Sequence, residues 1–127
     1  MSELKIPNGH QVLMPYLMLN GAKKFVDFVT KVFSAELTEM KMREDEITVM
    51  HSEVRIGGST IMFTDATDQW KPQTANMFVY VKDADETYQK AITEGSTTVM
   101  EPADQSYGRS CGVTDPFGNV WWITSVL

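Results

Sequence analysis

The chain has 127 residues, 43% hydrophobic and 22% charged, enough for one domain with a real core and too few for two ordinary ones. Its net charge of −6 leaves no basic field to displace counterions from phosphates, which argues against nucleic acid as the main partner. The single cysteine excludes an internal disulfide, and no apolar run approaches membrane-spanning length.

Taken in order, Met1 to Gln11 is polar, carries Pro7 and Gly9, and lacks the character of a secretory signal, so a cytoplasmic protein with no membrane partner is expected. Val12 to Asn20 is a short apolar run holding Pro15; proline cannot donate to a sheet ladder, so the run predicts an edge strand or a cavity rim. After Asn20-Gly21 the chain shows helical spacing from Ala22 to Phe33. Phe25, Val26, Phe28, Val29 and Phe33 lie on one side, and Lys23, Lys24, Asp27 and Lys31 on the other. Leu37 to Arg43 and Ile47 to Ile56 alternate as strands, the Gly57-Gly58 pair makes a tight hairpin turn, and Ser59 to Thr64 is a further strand. Asp65 to Thr74 is polar and contains Pro72, which predicts a connecting loop.

The order then begins again. Asn76 to Val81 reads as a strand, and Asp83 with Glu86 three residues on reads as a capping box. Tyr88, Ala91 and Ile92 give the helix its apolar side, and Gly95 stops it. Thr97 to Met100 and Tyr107 to Thr114 predict two strands. Asp115-Pro116-Phe117-Gly118 makes a turn in which Gly118 supplies a positive φ and Asn119 tolerates one. Val120 to Thr124 is β-branched and aromatic and closes a hairpin. Strand, helix and three strands thus occur twice, an internal repeat of about 60 residues seen in element order and not in letters.

Two βαβββ units, with Tyr107-Gly108-Arg109 followed by Asp115-Pro116-Phe117-Gly118-Asn119-Val120-Trp121, resemble the vicinal oxygen chelate superfamily. That group includes glyoxalase I, bleomycin-resistance proteins and extradiol dioxygenases. Pro15-Tyr16-Leu17 ahead of Asn20-Gly21, and His51-Ser52-Glu53-Val54-Arg55-Ile56-Gly57-Gly58, are similar to its PhnB-like branch. The resemblance implies a single α+β domain of two βαβββ modules, about 11–65 and about 75–127, joined by a linker of about 66–74. Their curved sheets would carry a helix on one face and form a shared cup-like cavity on the other. It also implies a homodimer, the common state of the family.

Alternation sorts the candidate residues by face. On the third strand Met50, Val54 and Ile56 suit the helix side, which leaves His51, Glu53 and Arg55 on the opposite side, either a solvated row or the lining of a polar cup. The family's metal ligands, carried over by local motif, fall near Pro15, Met62, Asn76 and Trp122. None of these is a good ligand for a divalent cation, so no catalytic metal and no cofactor is expected. His51 and Glu53 share a face but lack a third ligand, and His10 lies in the polar start. They remain the candidates for acid–base chemistry.

Met62, Asn76 and Trp122, with Phe78 and Tyr80 in the parity of Asn76, offer a soft and aromatic lining; His51 and Glu53 add polar contacts. Trp70 and Trp121 either stack on a ligand or pack. Cys111 reads as a small buried hydrophobe, and no glycine loop for phosphate occurs. Two functions stay open. One is a metal-free binder of a small aromatic or cationic compound, of the bleomycin-resistance type. The other is a metal-dependent or acid–base lyase or dioxygenase of the same superfamily.

Overall fold

A computed structural model describes residues 3–127. The first helix, α1 (Ala22–Phe33), forms where the apolar spacing predicts it and buries Ala22, Phe25, Phe28, Val29 and Val32. Its N-cap residue, Gly21, has no side chain to offer. Asp65 caps instead: Oδ1 accepts from Ala22 N at 2.8 Å and Oδ2 from Val49 N at 2.7 Å. Asp65 ends a strand of the same module, so one carboxylate fixes the helix start against the sheet.

That sheet comprises β1 (Tyr16–Leu19), β2 (Glu36–Met42), β3 (Val49–Ile56) and β4 (Ser59–Asp65) in the order β1-β4-β3-β2. The second module repeats it: β5 (Asn76–Tyr80), α2 (Ala84–Thr93), β6 (Thr97–Gln105), β7 (Gly108–Thr114) and β8 (Val120–Ser125), in the order β5-β8-β7-β6. In each module the first strand pairs parallel with the fourth and the other pairs are antiparallel. This is the expected α+β fold of two βαβββ units. Each sheet is open, with the proline-preceded β1 at an edge as its sequence requires.

The repeat extends to the helix caps. Asp83 accepts from Glu86 N at the start of α2, and Ser125 at the end of β8 accepts from Ala84 N at 3.2 Å, the counterpart of Asp65. β6 runs on to Gln105, past the expected end at Met100. It does so as an edge strand whose pairing with β7 is irregular between Met100 and Ala103, where Pro102 has no N–H to donate to the ladder.

Two bulges change the faces of the first sheet. Lys41 pairs with His51 and Met42 with Val49, which leaves Met50 as an extra residue in β3. Val49 is therefore buried in the core, while Met50 is 42% exposed and lines an open cavity. The expected placement of Met50 on the helix side is corrected by this bulge; Val54 is buried there and Ile56 packs against the same core. The second bulge leaves Thr38 unpaired, so that Glu39 stands opposite Glu53.

The helix-side faces of both sheets feed one core. Phe117, from the turn before β8, packs edge-on to Phe25 and Phe28 of α1, and Trp121 lies 4.5 Å from Phe33. The open faces of both sheets turn away from this core. Trp121 is thus a packing residue, 1% exposed, while Trp70 is 59% exposed at a cavity rim.

The turn before β8 is tied by Asp115. This buried carboxylate accepts from Phe117 N, Asn119 N, Asn119 Nδ2 and Trp121 Nε1 at 2.8–3.0 Å. Gly118 has φ +97°, as the turn demands. Asn119 does not adopt a positive φ: its side chain spans from Asp115 to Ala75 N, which anchors the start of β5. Replacing Asp115 with Ala orphans several buried donors, and hydrogen bonds to a charged group contribute about 1.5–3 kcal/mol each. Asp115→Ala is expected to lower stability by about 3 kcal/mol or more, read from the urea midpoint of tryptophan fluorescence.

Cys111 is buried on β7 and burial pushes its thiol up to about 11. A disulfide-type thiol reagent at pH 8 should leave the folded protein unlabelled and label the chain once it is unfolded in urea. Rapid labelling of the native protein would contradict this packing.

Candidate functional site

The seven residues expected to line a pocket fall into two groups, one on each open face. On the first sheet, Glu53 pairs with Met62, and Tyr16 flanks Met62 on the other side. His51 lies two residues along β3 from Glu53, and its Nε2 donates to Glu53 Oε2 at 2.8 Å. Glu53 is buried to 6% exposure although it is charged and faces the open side. The cover comes from the N-terminal segment: His10 Nε2 donates to Glu53 Oε1 at 2.7 Å, Gln11 exchanges hydrogen bonds with the backbone of Thr60, and the Thr60 hydroxyl donates to Gly9 O.

Burial acts against the charged form of Glu53, and the hydrogen bonds from His51 and His10 outweigh it, so its carboxyl lies below the usual glutamate range. The structure also brings in Glu39, which the sequence did not offer as a candidate. Ligand atoms of Glu39, His51 and Glu53 all lie within 4.8 Å of one another. The missed signal is the bulge at Thr38, because strict alternation places Glu39 out of step with Glu53.

On the second sheet, Asn76, Phe78 and Tyr80 pair with Val120, Trp122 and Thr124, so all share the open face. The Trp122 ring is laid over Gly112: a Cβ there would stand 2.5 Å from the indole. Trp122 Nε1 donates to Asn76 Oδ1 at 3.2 Å, which fixes the ring and occupies the amide oxygen. Phe78 and Tyr80 are 50% and 69% exposed with ring centroids 5.2 Å apart, and Tyr107 joins them 6.2 Å from Phe78. The sequence offered Tyr107 only as the start of a strand and in the Tyr107-Gly108-Arg109 motif; it lies in the turn before β7, and its position on this face completes an exposed aromatic cluster.

Three recesses accompany these faces. The largest, about 770 Å³, is lined by Tyr16, Met18, Arg43, Met50 and Thr64, with Trp70 at its rim. A second of about 490 Å³ draws on both modules, including Leu13, Pro15, Phe78 and Tyr80. The third, about 270 Å³, runs along His10, Thr38, Glu53, Arg55 and Thr60. His51 and Glu53 are thus joined to each other, and Asn76, Phe78, Tyr80 and Trp122 form a separate group on the second sheet.

The family model for the Glyoxalase/Bleomycin resistance protein/Dioxygenase superfamily matches residues 10–123. The chain belongs to this superfamily. It is 32% identical to the uncharacterized protein Rv0887c of Mycobacterium tuberculosis, across 90% of this chain and 74% of that relative. Among solved structures, the superfamily fold is shared with the PhnB protein of Bacillus cereus. That likeness has a TM-score of 0.75 at 18% identity and covers 91% of this chain and 100% of the other. TnmS3, an antibiotic-binding protein from Streptomyces sp. CB03234, matches with a TM-score of 0.70 at 16% identity, over 93% of this chain and all of its own. No helix among the described residues is long and apolar enough to cross a membrane.

Gly112 tests the aromatic face of this superfamily member. Any side chain at Gly112 must displace the indole from the sheet. Gly112→Ala is expected to break the Trp122–Asn76 bond and expose the ring, which shifts the tryptophan emission maximum to longer wavelength in a protein that stays folded by circular dichroism.

Proposed function

We propose that this protein binds a flat aromatic or cationic small molecule without transforming it, on the open face of the second sheet. The observation that carries the reading is the exposed cluster of Phe78, Tyr80 and Tyr107 beside the Trp122 ring fixed over Gly112. An aromatic ring fixed by a hydrogen bond and by the strand beneath it, as Trp122 is, loses little freedom when a planar ligand stacks on it, so most of the contact energy survives as affinity. The net charge of −6 favours a cationic ligand over an anionic one. The four positions at which the resemblance implies metal ligands fall near Pro15, Met62, Asn76 and Trp122. Asn76 and Trp122 are bonded to each other, an arrangement suited to organic contacts.

The likeness to an antibiotic-binding protein supports the same reading. His51, Glu53 and Met62, on the other sheet, supply polar and soft contacts if the open faces of two copies meet, so a homodimer is part of the proposal. The single buried thiol suits a reducing, cytoplasmic setting.

A panel of planar aromatic cations should quench the tryptophan emission saturably, and Trp122→Ala should weaken binding by about five- to tenfold, the loss of one stacking contact worth about 1–1.5 kcal/mol. No saturable quenching across the panel would overturn the proposal. The second reading, a metal-dependent or acid–base enzyme, is favoured by the 2.8 Å contact between His51 and Glu53. In that case His51→Ala removes a measurable turnover.

A further inference from the structure

We propose that Glu39, His51 and Glu53 form a divalent-metal site on the first sheet, with Zn²⁺ as the best-suited ion and His10 holding Glu53 in place. None of these residues occupies a position at which the resemblance to the superfamily implies a ligand; the site is built from β2 and β3.

Glu39 and Glu53 stand directly opposite each other on antiparallel strands, on the same face. Like charges in that relation destabilise a sheet. Glu53 is also 6% exposed, and a buried carboxylate needs a compensating charge. Among the described residues no lysine or arginine pairs with either glutamate, although Lys41 stands opposite His51 and Arg55 lies two residues beyond Glu53. The side-chain hydrogen-bond partners of Glu53 are the two imidazoles. A cation placed between the carboxylates converts the repulsion into shared coordination.

The donor atoms of Glu39, His51 and Glu53 lie within 4.8 Å of one another. Zinc–ligand bonds of about 2.0–2.2 Å in a tetrahedron place donors about 3.3–3.6 Å apart. The approach still required is about 1 Å, within reach of the exposed Glu39 side chain by a change of rotamer. Imidazole and carboxylate donors suit zinc better than magnesium, and three protein ligands leave a fourth position for water.

Hydrogen bonds around the three side chains support the site. His10 Nε2 bonds the Glu53 oxygen that does not face His51, which leaves Oε2 directed at the imidazole and fixes the carboxylate plane. The Thr38 hydroxyl donates to Glu53 O and the Ser52 hydroxyl to Glu39 O, so the backbone of both glutamates is tied across the strands. Outer partners of this kind are what hold metal ligands in register. The bulge at Thr38 is the device that turns Glu39 toward the other two, and bulges commonly re-aim a side chain at a site.

The experiment is a calorimetric titration of untagged, chelator-stripped protein with ZnCl₂, repeated with CoCl₂ while the visible absorption of the cobalt ion is followed. The expected result is one ion per chain with a dissociation constant of about 10 μM or tighter, and a cobalt spectrum of four-coordinate intensity. Glu39→Gln, an exposed change that leaves the fold intact, should weaken binding at least as much as the roughly 10- to 100-fold loss typical of an outer partner, and His51→Gln should do the same. Glu44→Gln, a neighbouring acidic change outside the cluster, should bind as the unmutated chain does. Absence of stoichiometric binding, or binding that Glu39→Gln leaves unchanged, overturns the site. If His51→Gln does not fold, Glu39→Gln decides alone.

Discussion

The Asp115 carboxylate is the point on which the two halves of this protein depend. It collects two backbone and two side-chain donors from Phe117, Asn119 and Trp121, and each of these residues leads to a different part of the fold. Trp121, oriented by its indole N–H, presents its ring to Phe33 of the first module. Phe117, held at the corner of the turn, enters the space between Phe25 and Phe28. Asn119 carries the network to Ala75 and so positions the first strand of its own sheet. A buried carboxylate is costly unless its oxygens are satisfied, and here the partners that satisfy it also define the contact between modules. An apolar residue in its place fills the volume without directing those four groups.

Much of this architecture was legible before any coordinates. Hydrophobic periodicity located both helices, the Gly57-Gly58 turn and the edge strand behind Pro15, and the repeated element order showed two modules. Asp115 was legible only as a turn-former, because its sequence context, a proline next in line, accounts for it fully at the local level. Its wider role depends on Trp121 and Ala75, which local pattern does not connect to it. Asn119 was assigned a backbone role for the same reason. Its neighbours in sequence suggest a turn conformation, whereas its use is as a bridge between elements 44 residues apart.

The faces of the first sheet were harder, and the cause is specific. Period-two alternation predicts facing only while a strand keeps its register, and β2 and β3 each carry one extra residue. Met50 was lost to the wrong face, and Glu39 was not connected to Glu53 at all. His51 and Glu53 lie between the two bulges, in a segment where alternation holds, and their shared face was correctly legible. On the second sheet β5 and β8 pair without a break, and the parity of Asn76, Phe78, Tyr80 and Trp122 carried over unchanged.

The two modules show how one topology supports two different surfaces. Their strand orders match, and the end of the fourth strand caps the helix in both, through Asp65 in one and Ser125 in the other. The positions that must pack the common core are under the same constraint in each, so they read alike. The open faces carry no such constraint and have diverged: acids and imidazoles on one, exposed rings on the other. The charged face is covered by a segment that precedes the first strand, and this cover is what removes Glu53 from water. Among the described residues the aromatic face has no equivalent cover, because the residues leading into β5 are instead held elsewhere, Gln73 by exchange of backbone hydrogen bonds with Met18 and Ala75 by donation from its N–H to Asn119 Oδ1. The difference between the faces follows from where the connecting chain is spent, over the open face of the first sheet at its start and between the edge of the first sheet and the turn before β8 at its middle.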